Sequence, residues 1–371
     1  MAIGASAGAP TGGGGGVSSQ SPSSPGGGSS SADGGGGGSI AGLGEAVQSF
    51  NQQPALTEGR SYIMCLIKAY KARYTNARNA LQSVSDTIAV AKGRFVSEWK
   101  FPIVYAKLDE LYKNLNDPNT FGFKVEFDAA VQHLSEGEKC FPQNLSKDDT
   151  AACYQKFTGP LVSMKQLSSQ LDGLYKMVGD EGTETIQAAM NQHGMDFVYS
   201  GALGYINDTI EASQNQINAA KGAITGMYAW GDQGNVDKLK YSFAPAYATA
   251  KIRLTDLSPE KLPRDRQGKF EAAQRDALMN LESANTQWSQ YDQNGDKLDE
   301  IGVYIEANRL TEFASMSLAE AAIAAKIREA PADGGNPSPQ LSAIRDEGPN
   351  RKNDGPACDV DAPDPPDDGK K

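Results

Sequence analysis

Between Gly59 and Ser97, apolar or small residues recur at Ile63, Ile67, Tyr70, Tyr74, Ala77, Leu81, Val84, Ile88, Ala91 and Phe95, in steps that alternate four and three without a miss. A strand repeats every two residues and a surface helix every ~3.6; a repeat of ~3.5 held this long belongs to a helix packed lengthwise on another. Arg, Lys, Asn, Gln and Ser fill most other positions, so one face is built for burial and the other for water. The helix is bounded by a start near Glu58 and a stop region at Pro102.

Further stripes follow. Met164, Leu167, Leu171, Leu174 and Val178 keep the heptad step, as do Leu203, Ile206, Ile210, Ser213, Ile217, Ala220, Ile224 and Met227. A last one runs Leu298, Ile301, Ile305, Arg309, Phe313, Met316, Glu320, Ile323 and Ile327, with a stutter around Arg309 that relaxes supercoiling. Val104, Leu108, Leu111 and Leu115 predict a shorter helix, closed by the turn at Asn116–Asn119. Alternation of Phe121, Phe123, Val125 and Phe127 suggests a strand start. Gly179–Gly182 reads as a break, with Thr183 capping a short helix that ends at Gly194. Residues 232–268, with Pro245, Pro259, Pro263 and Gly268, read as loop-rich, and Phe270–Arg328 as the final helical stretch. The fold class expected is mostly α: an elongated helical bundle whose N- and C-terminal helices pair as a coiled coil, with shorter helices inserted between.

The flanks differ in composition. Residues 1–55 are mostly Gly, Ser, Ala and Pro, which bury too little apolar surface to offset their ordering entropy. Residues 331–371 form an acidic Pro/Asp-rich tail, with Asp359, Asp361, Asp364, Asp367 and Asp368. Both are expected to be disordered around a helical domain at 56–330.

A net charge of −11 disfavours nucleic acid and electrostatic docking on anionic membranes. No apolar run approaches the ~20 residues of a transmembrane span. The first cation is Arg60 and no apolar run follows Met1, so no secretory signal peptide is visible. The protein is expected either to be secreted or displayed at the cell surface by a signal-peptide-independent route, or to stay in the cytoplasm. Of the four cysteines, Cys65, Cys140, Cys153 and Cys358, none are spaced as CxxC. Cys140 and Cys153 flank a turn-rich stretch; they are a disulfide in an oxidising place or two free thiols in the cytosol.

Sites of chemistry are thin. Asp292, Asn294 and Asp296 resemble the start of a calcium loop, but the glycine is Gly295 and the twelfth position is Val303 in place of a bidentate acid. An Asn-Gly turn between helices accounts for the same residues. The two histidines, His133 and His193, have no nucleophile or acid tied to them in sequence, and Asp109-Glu110 and Asp148-Asp149 read as solvated faces and turns. Trp230-Gly231 reads as an aromatic plug at a helix end. There is no P-loop, dinucleotide fingerprint or nucleophile elbow. Neither catalytic nor metal residues are assigned, no cofactor is expected, and the chain does not read as an enzyme.

The stripes remain: either the core of a monomeric bundle or seams for other copies. The residues assigned to helix pairing and assembly are Ile63, Ile67, Tyr70, Tyr74, Leu81, Val84, Ile88, Phe95, Leu298, Ile301, Ile305, Phe313, Met316, Ile323 and Ile327. The helix from Glu58 through Ile67 (EGRSYIMCLI) to Ala91-Lys92-Gly93 resembles the N-terminal helix of type III secretion filament and translocon-sheath proteins. Needle-tip proteins share the plan of a terminal coiled coil with inserted elements. The resemblance implies a polar unstructured start, a second helix at Leu298–Ile327 as partner of the first, and polymerisation outside the cell. The expected function is an exported helical structural or interaction protein, self-assembling as part of a secretion apparatus, whose partner is itself or another protein. The alternatives are an intracellular helical scaffold or adaptor, or a membrane-inserting helical toxin.

Overall fold

A computed structural model describes residues 41–118, 123–140, 145–225, 233–291 and 297–327, and every regular element among them is a helix. In chain order these are α1 (Ala41–Asn51), α2 (Pro54–Ser97), α3 (Pro102–Asn116), α4 (Phe123–Cys140), α5 (Lys147–His193), α6 (Met195–Tyr199), α7 (Ala202–Thr225), α8 (Gln233–Thr255), α9 (Arg264–Gln290) and α10 (Lys297–Ala324), with a single 3₁₀ turn at Pro259–Lys261. The expected helical bundle is what forms.

The 3.5-residue stripe becomes α2. Pro54 opens it at the first turn, where the missing N–H costs nothing, and holds Gln53 extended. Along α2 the stripe meets several helices in turn: α8 and α10 near its start, then α4, α3 and above all α7. The stripes of α5 and α7 are likewise buried, from Met164 to Val178 and from Ile206 to Ile224, with Leu203 and Ile210 half-buried.

Several expectations are corrected. Phe123–Cys140 is helix: the residues that bury are Phe127, Ala130 and Leu134, at helical spacing, while Val125 points to solvent. α5 runs through Gly179–Gly182 without a break, and Thr183 donates to the Gly179 carbonyl within it at 2.9 Å. Those glycines serve a close approach to α7: a Cβ on Gly182 would lie 2.3 Å from Ile210 Cδ1. The loop-rich 232–268 is largely α8, which carries Pro245 inside it because Phe243 is clamped among Phe50, Tyr247 and Trp288. Order also begins before the expected boundary at 56, because α1 docks Leu43, Ala46, Val47 and Phe50 into the core.

The end helices do not run side by side as the coiled coil expected of them. α10 lies along α9, forming a hairpin with it, and meets α2 in a short crossing where Tyr62 packs edge-on to Tyr304, 5.2 Å between ring centres. The reason is in the α10 sequence. Beyond the stripe it carries Ala307, Ala314, Ala319, Ala321 and Ala322, buried on other faces, so α9, α5, α1 and α2 all pack onto it.

Candidate functional site

The residues assigned to an assembly stripe sit inside the chain's own core. Ile63, Ile67, Tyr70, Tyr74, Val84, Ile88 and Phe95 on α2 are buried and Leu81 is half-buried. Ile301, Ile305 and Met316 on α10 are buried, while Phe313, Ile323 and Ile327 are half-buried. Leu298 falls in the first turn of α10, and its side chain lies outside the described residues, as do Trp230 and the Asp292–Asp296 segment. Most of the described stripe residues are thus covered by the chain's own helices.

Cys140, the last residue of α4, is bonded to Cys153 in the first turns of α5, with 6.0 Å between Cα atoms, and Cys65 is disulfide-bonded as well. Ser146 caps α5 by accepting from the Asp149 N–H at 3.1 Å. Asp148 and Asp149 lie in that helix's first turn, where carboxylates oppose the positive end of the dipole.

α10 carries a buried polar seam. Arg60 of α2 donates to Glu312 Oε2 at 3.5 Å, and the Tyr154 hydroxyl of α5 donates to Glu312 Oε1 at 3.1 Å. The three side chains are almost wholly enclosed, with Arg60 4% and Glu312 5% exposed. Burial raises the Glu312 carboxyl above its usual value, opposed by Arg60 and by the Tyr154 hydrogen bond. The Tyr154 phenol is raised too, by burial and then by the Glu312 charge. Beside them Trp288 Nε1 donates to Thr311 at 3.2 Å, and Asn308 Nδ2 to the Tyr304 carbonyl at 2.9 Å. This seam ties α2, α5 and α9 to α10 and is closed off from solvent.

The surface is more informative at the tip where α2 turns into α3 and α5 into α7. Lys100, with φ 56°, makes the first turn left-handed. Arg94 lies over the rings of Trp99 and Tyr205, at 4.7 and 4.3 Å, while it holds Glu98 through two hydrogen bonds. Gly194 (φ 54°) and Gly201 (φ 75°) bracket the short α6, a geometry that residues with a Cβ resist. Phe197 pins α6 inward against Phe101, 5.4 Å between rings. Its opposite face therefore projects Met195, 60% exposed, and Tyr199, 81% exposed, beside Val198 and Met190. From their side-chain sizes the exposures of these four sum to on the order of 400 Å² of largely apolar surface, comparable to the largest apolar patch on a typical folded chain.

His193 packs at a tilt against Phe101, 4.4 Å between ring centres, with a buried Nε2 that has no partner, and His133 lies near Gly159 on the neighbouring α5. Neither stands beside a nucleophile in the contacts described. Among the described residues no three His, Cys, Asp or Glu side chains converge to hold a metal ion, and no helix is long and apolar enough to cross a membrane. The tip escapes sequence reading because Met195, Val198 and Tyr199 look like one more helical run; the signal was the pair Gly194 and Gly201 around it. α1 escapes because glycine-rich composition masks Leu43, Ala46, Val47 and Phe50, spaced i, i+3, i+4, i+7. No family model, no curated protein and no solved structure matches this chain.

Proposed function

We propose that this chain is an exported helical structural protein that works by binding other copies of itself, with the α5–α6–α7 tip as the contact face. The observation that carries the reading is the tip: a five-residue helix fixed by a buried phenylalanine and two left-handed glycines so that methionine and tyrosine face outward. Met and Tyr are the residues protein contacts favour. The Cys140–Cys153 disulfide supports an oxidising compartment, and hence export. The polar start and helical body keep the general plan of type III filament and needle-tip proteins, although the seam differs from the one that resemblance implies. A patch of this size is about half the ~800 Å² per partner of a stable complex, so single contacts are weak and assembly is driven by local concentration.

The test is light scattering on the full chain across a concentration series. Mass should rise with concentration for the natural sequence and rise much less for Met195→Ser/Tyr199→Ser, with helix content and melting temperature unchanged. A natural chain that is monomeric throughout, or a doubly substituted chain that associates equally, refutes the reading.

A further inference from the structure

α1 is bound like a separate peptide. It contacts α8 and α10 rather than the helix that follows it in sequence. Its anchors, Leu43, Ala46, Val47 and Phe50, recur at i, i+3, i+4 and i+7, the spacing by which an amphipathic helix fills a groove. Phe50 meets Phe243 of α8 edge-on at 6.1 Å, and Asn51 Oδ1 accepts from Ser315 of α10 at 2.8 Å. The groove is cut for this sequence. A Cβ at Gly42 would lie 3.1 Å from Arg253 Cδ, and one at Gly44 3.1 Å from Ile327 Cγ2, so the backbone of α1 runs close against its neighbours and the Ile327 side chain would have to shift to admit a larger residue at Gly44. Alone, α1 is a poor helix: eleven residues, two glycines in its first turn, and no acidic residue there or basic residue in its last turn to favour the dipole. It is helical because it is docked.

The joint to α2 is short and ill at ease. Gln53, held extended before Pro54, is 5% exposed, and neither its Nε2 nor its Oε1 has a hydrogen-bond partner. A buried primary amide with both ends unpaired disfavours the closed joint, and opening the joint lets water satisfy it. Short strained hinges invite exchange of the element they hold.

We propose that α1 is an exchangeable arm: released at Gln52–Pro54, it seats in the α8–α10 groove of a second copy, and that copy's α1 seats in return. The occupant is a second copy because the contacts that define the groove are those of this chain's own Leu43–Phe50 segment. This exchange uses a different surface from the tip and does not rest on it.

The test uses the full chain carrying Gly44→Cys and Ile327→Cys together, residues close enough for a disulfide across the groove. The doubled change treats a chain's own groove and its neighbour's alike. After incubation over a concentration series and mild oxidation, non-reducing electrophoresis separates locked monomer from linked dimer. The dimer share should rise with concentration, be absent in either single variant, and be unaltered by Met195→Ser/Tyr199→Ser. Adding Gln53→Leu, which removes the unpaired amide atoms at similar volume, should lower the dimer share several-fold. Locked monomer at every concentration, no bond at all, or equal dimer from Gly44→Cys alone overturns the exchange; a share indifferent to Gln53→Leu overturns the role of the hinge.

Discussion

Gly59 is where α2 crosses α10, and replacing it with alanine sets two known effects against each other. Alanine in a helix interior is worth about 1 kcal/mol over glycine. At this position, however, the new Cβ would stand 2.1 Å from Asn308 Oδ1 and 3.2 Å from its Cγ. Asn308 is buried and cannot swing to solvent; to yield, it must give up its Nδ2 bond to the Tyr304 carbonyl at 2.9 Å. Losing that bond costs about 1 kcal/mol. Forcing the crossing apart, with Tyr62 and Tyr304 packed against it, costs about 1–3 kcal/mol more. The net expectation is a loss of about 1–3 kcal/mol, read as a lower urea midpoint at unchanged slope. Gly93 and Gly173, which have nothing within 4 Å of a built Cβ, supply the control: alanine there should raise stability by about 0.5–1 kcal/mol. In an Asn308→Ala background Gly59→Ala should revert to the control behaviour. If Gly59→Ala stabilises the natural chain as Gly93→Ala does, the crossing is not as close as described.

Gly182→Ala should likewise destabilise, by about 1–3 kcal/mol, because its Cβ meets Ile210 Cγ1 at 2.6 Å, with recovery in Ile210→Ala; Gly179→Ala meets only the far end of Gln214 and should be near neutral in the same melts. Replacing Cys140 and Cys153 together by alanine removes a cross-link over 13 residues, and unfolding free energy should drop by about 3 kcal/mol; no change in the urea midpoint would deny the bond a stabilising part. Glu312 holds its proton to higher pH when folded than when unfolded, so the stability it confers is complete below the ordinary glutamate value and is lost as pH rises through the folded one. Subtracting the melts of Glu312→Gln cancels the opposite trend of Glu98, Glu136 and Glu282, whose carboxyls are held low by Arg94, Lys156 and Lys251; a flat difference across that rise would contradict the burial of this carboxyl. Lys100→Gly relieves a left-handed residue and should raise the melting temperature, by an amount equivalent to about 1 kcal/mol.

Heptad spacing carried most of the fold. Stripes on α2, α5 and α7 were legible because each buries one face only, and a periodic pattern reports that directly. Which helix faces which was not legible. Ile63 packs near α10 while Phe95, on the same stripe, packs against Trp99 and Tyr205 at the far tip, and local periodicity is the same in both places. α10 misled for a different reason: Ala307, Ala314 and Ala321 are buried off the stripe, while Arg309, Phe313 and Ile323 on it are only half-buried, so the regular seam did not mark the most covered face. Pro245 and Gly182 were read as punctuation, yet packing around Phe243 and a close helix contact outweighed local preference. The exposed face at Met195 and Tyr199 was illegible because exposure is a property of the finished fold, not of a short run of residues.

The position of α10 also sets an order of events. Among the described residues it is the last helix made, yet α9, α5, α1 and α2 all pack onto it. Until Lys297–Ala324 has left the ribosome, Arg60 and Tyr154 have no carboxylate to meet, and α1 lacks half of its groove. α2, α3, α4, α5 and α7 pack on one another through contacts that do not need α10, so it is the end holding α1, α8 and α9 that is completed only when α10 arrives.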